Sequence, residues 1–207
     1  MKVKVCGITS WTQMAQLQDA GADLAGMIFY EGSPRFAGEK MLADAASVRN
    51  STITKVGVFV NASRSFIDET INTYALDAVQ LHGDETPAFC QPLMEQVTVL
   101  KVFRVDGNLS EEELSAFADA ANYFLFDTAT QRFGGSGQQF NWAALKKLKV
   151  GKPFFLGGGI GLQDAEKIKT FKHPEFIGVD VNSRFETSPG MKDIQQVKQF
   201  INVLKHE

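Results

Sequence analysis

Cys6 and Asp127 are the two residues whose types fit proton transfer from carbon and to oxygen. Cys6 ends the alternating stretch KVKVC, and Asp127 ends the apolar stretch YFLFD. A thiolate removes protons from carbon, and a carboxylic acid that apolar surroundings keep neutral donates one to oxygen. Each residue also has a plain structural interpretation: a strand-end thiol is usually a small apolar side chain, and Asp127 can cap a turn at Thr128 or Thr130. The pair predicts acid–base chemistry only if the fold brings both side chains to one cavity.

Two loops in the last quarter of the chain have the composition of a phosphate site. LGGGIG, residues 156–161, leaves backbone N–H groups open to an anion, and NSRFETSPG follows the next apolar stretch. Glycines alone also occur in tight structural turns, so the prediction depends on both loops together. The candidate phosphate contacts are Gly158, Gly159, Asn182, Ser183 and Arg184.

Three further polar residues are candidates for substrate binding. Arg35, in GSPRF, presents a guanidinium that can pair with a carboxylate, although a solvated loop arginine is the commoner case. His82, in QLHGDE, is expected at the rim of the site, where it either contacts the ligand or does not. Asp180, which ends FIGVD, resembles Asp127 in its setting or hydrogen-bonds a sugar hydroxyl. We find no convincing metal-ligand spacing and expect no metal.

The elements around these residues alternate between apolar strands and amphipathic helices. Eight such units in 207 residues favour a closed (β/α)₈ TIM barrel over an open doubly wound sheet, and we expect a single domain, residues 1–207. In this fold the active site lies at the C-terminal ends of the strands. The predicted strands are 2–6, 24–30, 55–61, 77–83, 98–105, 122–128, 152–159 and 175–181. The predicted helices are 10–22, 38–50, 63–75, 84–97, 110–121, 142–149, 162–171 and 191–205.

The bulk composition is that of an ordinary globular protein. A net charge of −3 argues against nucleic acid or an anionic membrane as a partner. Two cysteines are too few for a disulfide framework, and Cys90 lies in a helical pattern typical of core packing. Without a signal segment or a long apolar run, a cytoplasmic protein is the simplest expectation.

The motifs, taken together, resemble the phosphoribosylanthranilate isomerases of tryptophan biosynthesis. KVCGIT, GADLAGMIFYEGSPRF, VGVFVN, VQLHGDE, FDT with GGSGQQFNW, and GVDVNSRFETSPGMKD occur in order from residue 2 to about 193. The resemblance implies an Amadori rearrangement of N-(5-phosphoribosyl)anthranilate to the 1-deoxyribulose derivative, without metal or organic cofactor. It also implies a small phosphorylated molecule as the binding partner.

The resemblance also assigns roles to the candidate residues. Asp127 protonates the furanose ring oxygen, and Cys6, as thiolate, removes the proton from C2′. Arg35 holds the anthranilate carboxylate, and Asp180 orients a ribose hydroxyl. The phosphate is held by backbone groups around Gly158 and Gly159 together with Asn182 to Arg184.

Several alternatives stay open at this stage. Many family members have a small residue in place of Arg184, so this side chain either joins the phosphate site or points outward. The loop Gly134 to Gly137 is either a lid or a mobile connection, and the protein is a monomer or a homodimer. The rival functions are a non-catalytic sugar-phosphate-binding barrel and the histidine-pathway aminoaldose–ketose isomerase, whose first strand ends in aspartate where this chain has Cys6.

Overall fold

Eight strands pair in parallel and in chain order, and the last strand pairs with the first to close a barrel. The structure is a computed structural model, and it describes residues 1–42, 52–105, 109–128 and 140–206. The barrel strands are β1 (Lys2–Cys6), β2 (Leu24–Ile28), β3 (Thr54–Phe59), β4 (Ala78–Leu81), β5 (Thr98–Val105), β6 (Tyr123–Thr128), β7 (Phe154–Leu156) and β8 (Phe176–Val181). The predicted TIM barrel is therefore confirmed. A short antiparallel hairpin, β9 (Glu186–Ser188) with β10 (Met191–Lys192), follows β8.

Helical segments connect the strands. The α-helices are α1 (Trp11–Asp19), α2 (Gly38–Leu42), α3 (Arg64–Tyr74), α4 (Pro87–Cys90), α5 (Glu111–Ser115), α6 (Ala165–Thr170) and α7 (Ile194–Lys205). Shorter 3₁₀ segments occupy Gln91–Glu95, Trp142–Lys147, Leu162–Asp164 and Ser183–Phe185. Among the described residues no helix has the length and apolar character needed to cross a bilayer.

The helix starts follow local side-chain chemistry. Ser63 and Ser110 accept hydrogen bonds from backbone N–H groups three residues on, and Asn141 accepts one from Ala143. Some predicted helices are shorter than their patterns. The segment predicted over 84–97 is α4 followed by a 3₁₀ turn, because Pro92 has no N–H to continue the α-helical ladder. The segment predicted over 142–149 is a 3₁₀ helix throughout.

The strands separate two apolar layers. The larger core lies between the strands and the helices and includes Val3, Val5 and Cys90, so the core role predicted for Cys90 is confirmed. A smaller cluster fills the N-terminal half of the barrel interior: Leu24, Val56, Ala78, Leu100, Val102, Leu125 and Phe155. Since side chains alternate across a strand, Lys4 and Cys6 share the face of β1 opposite to Val3 and Val5. Polar residues thus occupy the upper part of the barrel interior.

His173 lies in the outer segment between α6 and β8, yet its side chain is buried. Its side chain is only 4% exposed, packs edge-on against Phe154 and contacts the Leu148 carbonyl oxygen at 3.1 Å. The imidazole has a polar tip and an apolar ring, so it fits between a strand and a loop. His206, by contrast, is exposed.

Candidate active site

One cavity opens at the C-terminal ends of the strands and brings together residues that are far apart in sequence. Cys6 from β1 and Asp127 from β6 both line it. Six other predicted site residues line the same cavity: His82, Gly158, Gly159, Asp180, Asn182 and Ser183. The condition for acid–base chemistry, a shared cavity for the thiol and the carboxyl, is met.

A buried cation lies beside the Cys6 thiol. Lys4 is two residues earlier on the same face of β1, and none of its surface is exposed. Its Nζ donates to Asp180 Oδ1 at 2.8 Å, and the two residues are direct partners across the β1–β8 seam. At Gly26, the β2 partner of Cys6, an added Cβ would lie 2.8 Å from the sulfur and 3.2 Å from the Lys4 Nζ. The glycine therefore leaves the space in which thiol and ammonium meet.

Opposing charges act on the thiol. Burial raises the pKa of Cys6 and Asp180 raises it further, whereas Lys4 and Lys192 lower it, and the net direction is upward. Burial likewise raises the pKa of Asp180 despite its ion pair with Lys4. For Lys4, burial favours the neutral amine, but Asp180 and Cys6 outweigh it and raise the pKa, so this lysine stays charged. The two lysines are the fixed cations that favour the thiolate of Cys6.

A second buried network supports the rim on the β8 side. Lys192 Nζ donates to Asn182 Oδ1 at 2.8 Å and forms an ion pair with Glu186 at 2.6 Å. Glu186 also accepts from Arg35, at 2.9 Å for Nε and 2.8 Å for Nη2. Burial raises the pKa of Glu186, but Arg35 and Lys192 lower it by more, so the pKa of this carboxyl lies below its usual value. The network fixes both the Asn182 loop and the Arg35 guanidinium.

Asp127 has two polar neighbours. Its Oδ1 accepts from the N–H of Thr128 at 2.8 Å, so the turn-capping interpretation holds alongside the site position. Its Oδ2 lies 3.4 Å from His82 Nε2. Gln80, two residues before His82 on β4, contacts His82 Nδ1 at 3.1 Å through its Nε2. Because an amide nitrogen only donates, His82 Nδ1 accepts this hydrogen bond, and Nε2 is the ring nitrogen that faces Asp127.

The glycine loop after β7 has a backbone that side chains disfavour. Gly158 and Gly159 have φ values of 82° and 62°, in the left-handed region. A Cβ at Gly158 would overlap Thr128 Oγ1 and lie 2.8 Å from the Thr128 nitrogen. The chain therefore needs glycine here for close approach as well as for conformation, and both residues line the cavity.

The opposite wall of the cavity is mainly apolar. Ile28, Val58 and Val60 line it near the ends of β2 and β3, with Tyr30 and Ser33 at the edge. Such a wall suits a flat aromatic ring, while the polar wall across the cavity suits a sugar phosphate.

The two predicted arginines lie outside the cavity lining. Arg35 is mostly buried, with 12% of its side chain exposed, in the loop after β2. Arg184 is exposed in the 3₁₀ turn Ser183–Phe185. The loop Gly134 to Gly137 lies outside the described residues.

The sequence reasoning missed four residues of this region: Lys4, Gln80, Glu186 and Lys192. A signal for the first two was present, because each stands two residues before a recognised candidate and shares its strand face. Glu186 and Lys192 gave no such signal, since their contacts depend on the hairpin geometry. Among the described residues no group of three or more His, Cys, Asp or Glu side chains could hold a metal ion.

Comparison with known proteins gives a consistent set of relatives. A family model described as N-(5'-phosphoribosyl)anthranilate (PRA) isomerase matches residues 3–203. The chain is 38% identical over 209 residues to the N-(5'-phosphoribosyl)anthranilate isomerase of Parabacteroides distasonis, covering 100% of this chain and 94% of that protein. It is 37% identical over 202 residues to the protein of the same name from Citrifermentans bemidjiense, covering 97% and 95%.

Solved structures agree with the sequence relatives. Phosphoribosyl anthranilate isomerase from Thermus thermophilus superposes with a TM-score of 0.84 at 27% identity, covering 99% of this chain and 98% of that one. A further phosphoribosyl anthranilate isomerase superposes with a TM-score of 0.81 at 27% identity and full coverage of both chains. That protein is in complex with reduced 1-(o-carboxyphenylamino)-1-deoxyribulose 5-phosphate.

Proposed function

We propose that this chain, which belongs to the N-(5'-phosphoribosyl)anthranilate isomerase family, carries out its reaction with Cys6 and Asp127 as the proton-transfer groups. The chain is an isomerase of tryptophan biosynthesis. It converts N-(5'-phosphoribosyl)anthranilate to 1-(2-carboxyphenylamino)-1-deoxyribulose 5-phosphate by an Amadori rearrangement. The proposal concerns which side chains perform the steps.

Asp127 is the general acid. It protonates the ribose ring oxygen, the ring opens, and the amine nitrogen becomes an iminium. The Thr128 N–H and the nearby His82 Nε2 are aimed at the carboxylate that this step leaves, which favours the proton transfer.

Cys6 is the general base. Its thiolate removes the C2′ proton, and the electrons move to the iminium to give an enolamine, which tautomerises to the ketone. Lys4 and Lys192 favour the thiolate electrostatically, although burial opposes it. At the end of the cycle Cys6 is a thiol and Asp127 a carboxylate, so a proton returns from one to the other through water before the next turnover.

The binding roles follow the two walls of the cavity. Backbone N–H groups of Gly158 and Gly159, with the segment Asn182 to Arg184, bind the phosphate. The anthranilate ring packs on the apolar wall, and Arg35 uses N–H groups not taken by Glu186 to bind the ring carboxylate, since a guanidinium has five donors. Asp180 accepts from a ribose hydroxyl and His82 contacts the sugar.

The observation that carries the proposal is the convergence of Cys6 and Asp127 on one cavity. The test follows the loss of fluorescence of phosphoribosylanthranilate on adding purified protein. We expect Cys6→Ser and Asp127→Asn each to lower turnover by about 10²- to 10⁴-fold. The matched controls, Cys90→Ala in the core and Asp119→Asn on the surface, retain it. Near-wild-type turnover in both site variants would refute the assigned roles, and inactive folded wild-type protein would favour a non-catalytic binding barrel.

The remaining parts of the proposal concern the whole chain. Residues 1–207 act as one domain, which the contact of Lys205 in α7 with Asp23 beside β2 supports, at 2.7 Å. The protein works in the cytoplasm as a monomer or homodimer. Its partner is the small phosphorylated substrate.

A further inference from the structure

Gln80 has an unusual position on the floor of the active-site cavity. It points into the barrel from β4, lines the cavity and is 1% exposed. Its Nε2 donates to His82, which fixes the imidazole that faces Asp127. Its Oε1 has no hydrogen-bond partner in the described part of the chain and no contact with solvent. An unpaired buried carbonyl oxygen is destabilising, so this atom needs another explanation than packing.

A donor on the substrate can supply the partner that this oxygen lacks. The available donors are the ribose hydroxyls and the hydrogen on the amine nitrogen. Gln80 lies on β4, which pairs with β3 beside the apolar wall formed by Ile28 and Val58. The function proposed above assigns Asp180 and Asn182 to the sugar and its phosphate. In that proposed binding mode the amine nitrogen, which joins the aromatic ring to the sugar, lies between the two walls, beside Gln80.

From this geometry, and resting on the function proposed above, we infer that Gln80 is a specificity-determining residue whose Oε1 accepts the N–H of the substrate's secondary amine. The nitrogen is neutral in the bound substrate and positively charged in the ring-opened iminium. A hydrogen bond from a cation is stronger than one from a neutral group, so the contact tightens as the reaction proceeds. An amide oxygen is also a suitable acceptor because it does not take the proton. The iminium therefore stays an electron sink while Cys6 removes the C2′ proton.

The test compares two ligands that differ in one group. The first is reduced 1-(2-carboxyphenylamino)-1-deoxyribulose 5-phosphate, which keeps the amine N–H. The second is the ether with oxygen in place of that N–H, which presents a lone pair to Gln80. Isothermal titration calorimetry on the wild-type protein should show the amine binding about 10- to 100-fold tighter than the ether. In Gln80→Met the preference should fall to about one, while Gln195→Met, at an exposed position on α7, keeps it.

Kinetics provide an independent measurement. Because the contact strengthens in the iminium, Gln80→Met should lower kcat more than it raises KM. If Gln80→Met does not fold, the wild-type comparison decides: equal affinities for amine and ether overturn the inference, as does a preference that survives in a folded Gln80→Met. If the amine hydrogen stays bonded to the ligand's own carboxylate and not to Gln80, the two affinities are also equal, and this result overturns the inference as well. Failure of the proposed function gives a different result, namely folded wild-type protein that does not turn over the substrate.

Discussion

Replacement of Lys4 by methionine tests whether a buried charge makes Cys6 a base. Methionine has a similar length and no charge, so it fills the space beneath the sulfur. The change removes the ammonium that pairs with Asp180 and that lowers the pKa of Cys6. Asp180, left without its partner, should take up a proton, because burial already favours its neutral form.

The size of the effect follows from the distance between the two charges. The Cys6 sulfur and the Lys4 nitrogen both lie close to one point, 2.8 Å and 3.2 Å from an added Cβ at Gly26, so they are at most about 6 Å apart. At an effective dielectric constant of about 20, unit charges about 6 Å apart attract by about 3 kcal/mol. This corresponds to a roughly 100-fold change in the ratio of thiolate to thiol. Neutralisation of Asp180 offsets part of it, so kcat/KM near neutral pH should fall about 10- to 100-fold.

The assay is the pH dependence of kcat/KM, followed by substrate fluorescence. A base must be deprotonated to act, so activity limited by the thiolate rises with pH. Loss of Lys4 moves this rise to higher pH, and the deficit of the variant should therefore shrink as the pH increases. Lys55→Met is the matched control, because Lys55 is also a buried strand lysine, only 6% exposed, with an ion pair to Asp77 at 3.1 Å.

Two results would refute this reasoning. One is a Lys4→Met variant with the same kcat/KM as Lys55→Met. The other is a deficit that stays constant across the pH range in which the wild-type activity rises. The second result would mean that Lys4 supports the structure of the site without stabilising the thiolate.

Two further predictions concern the glycine loop and the rim network. Gly158→Ala should destabilise the protein by about 1–3 kcal/mol in thermal unfolding and lower kcat/KM, because the added Cβ clashes with Thr128. The control Gly151→Ala, at a similar φ of 77° but with no neighbour within 4 Å, should show the cost of backbone strain alone. Equal losses of stability in the two variants would contradict the clash. Glu186→Gln should cost about 3 kcal/mol at neutral pH, since it leaves Lys192 buried without its anion. The wild-type pKa of Glu186 is lowered, so its stabilising contribution is present above the ordinary carboxyl pKa and is lost as the pH falls through the lowered value. Urea unfolding at several pH values should show this acid loss in the wild type and less of it in Glu186→Gln, and parallel curves would contradict it.

The strand scaffold was readable from the sequence because each strand carries its own apolar signal. All eight predicted strands overlap observed ones, and the caps at Ser63, Ser110 and Asn141 form as their residue types indicate. Helix lengths were less predictable. Periodicity marks which face is apolar, but it does not say where a 3₁₀ turn replaces an α-turn, as at Trp142–Lys147.

Within the site, strand-end residues were predictable and their supports were not. The C-terminal ends of barrel strands share one face, so Cys6, Asp127 and Asp180 could be grouped before any coordinates. The sequence pattern did not predict Lys4 as a site residue, because a lysine in an alternating strand normally lies on the solvent-exposed face. In a closed barrel both faces are covered, and the inner position two residues from a site residue is itself part of the site. The contacts of Lys192 and Arg35 with Glu186 depend on tertiary geometry, which no local pattern encodes.

The ion pair between Lys4 and Asp180 joins residues 176 positions apart, one in the first barrel strand and one in the last barrel strand. A growing polypeptide on the ribosome makes Lys4 and Cys6 early and gains their carboxylate partner only after nearly all of the chain has emerged. During refolding, recovery of catalysis should accordingly lag behind recovery of the helical circular dichroism signal, because β1 must pair with β8 before the Cys6 sulfur has its final electrostatic surroundings.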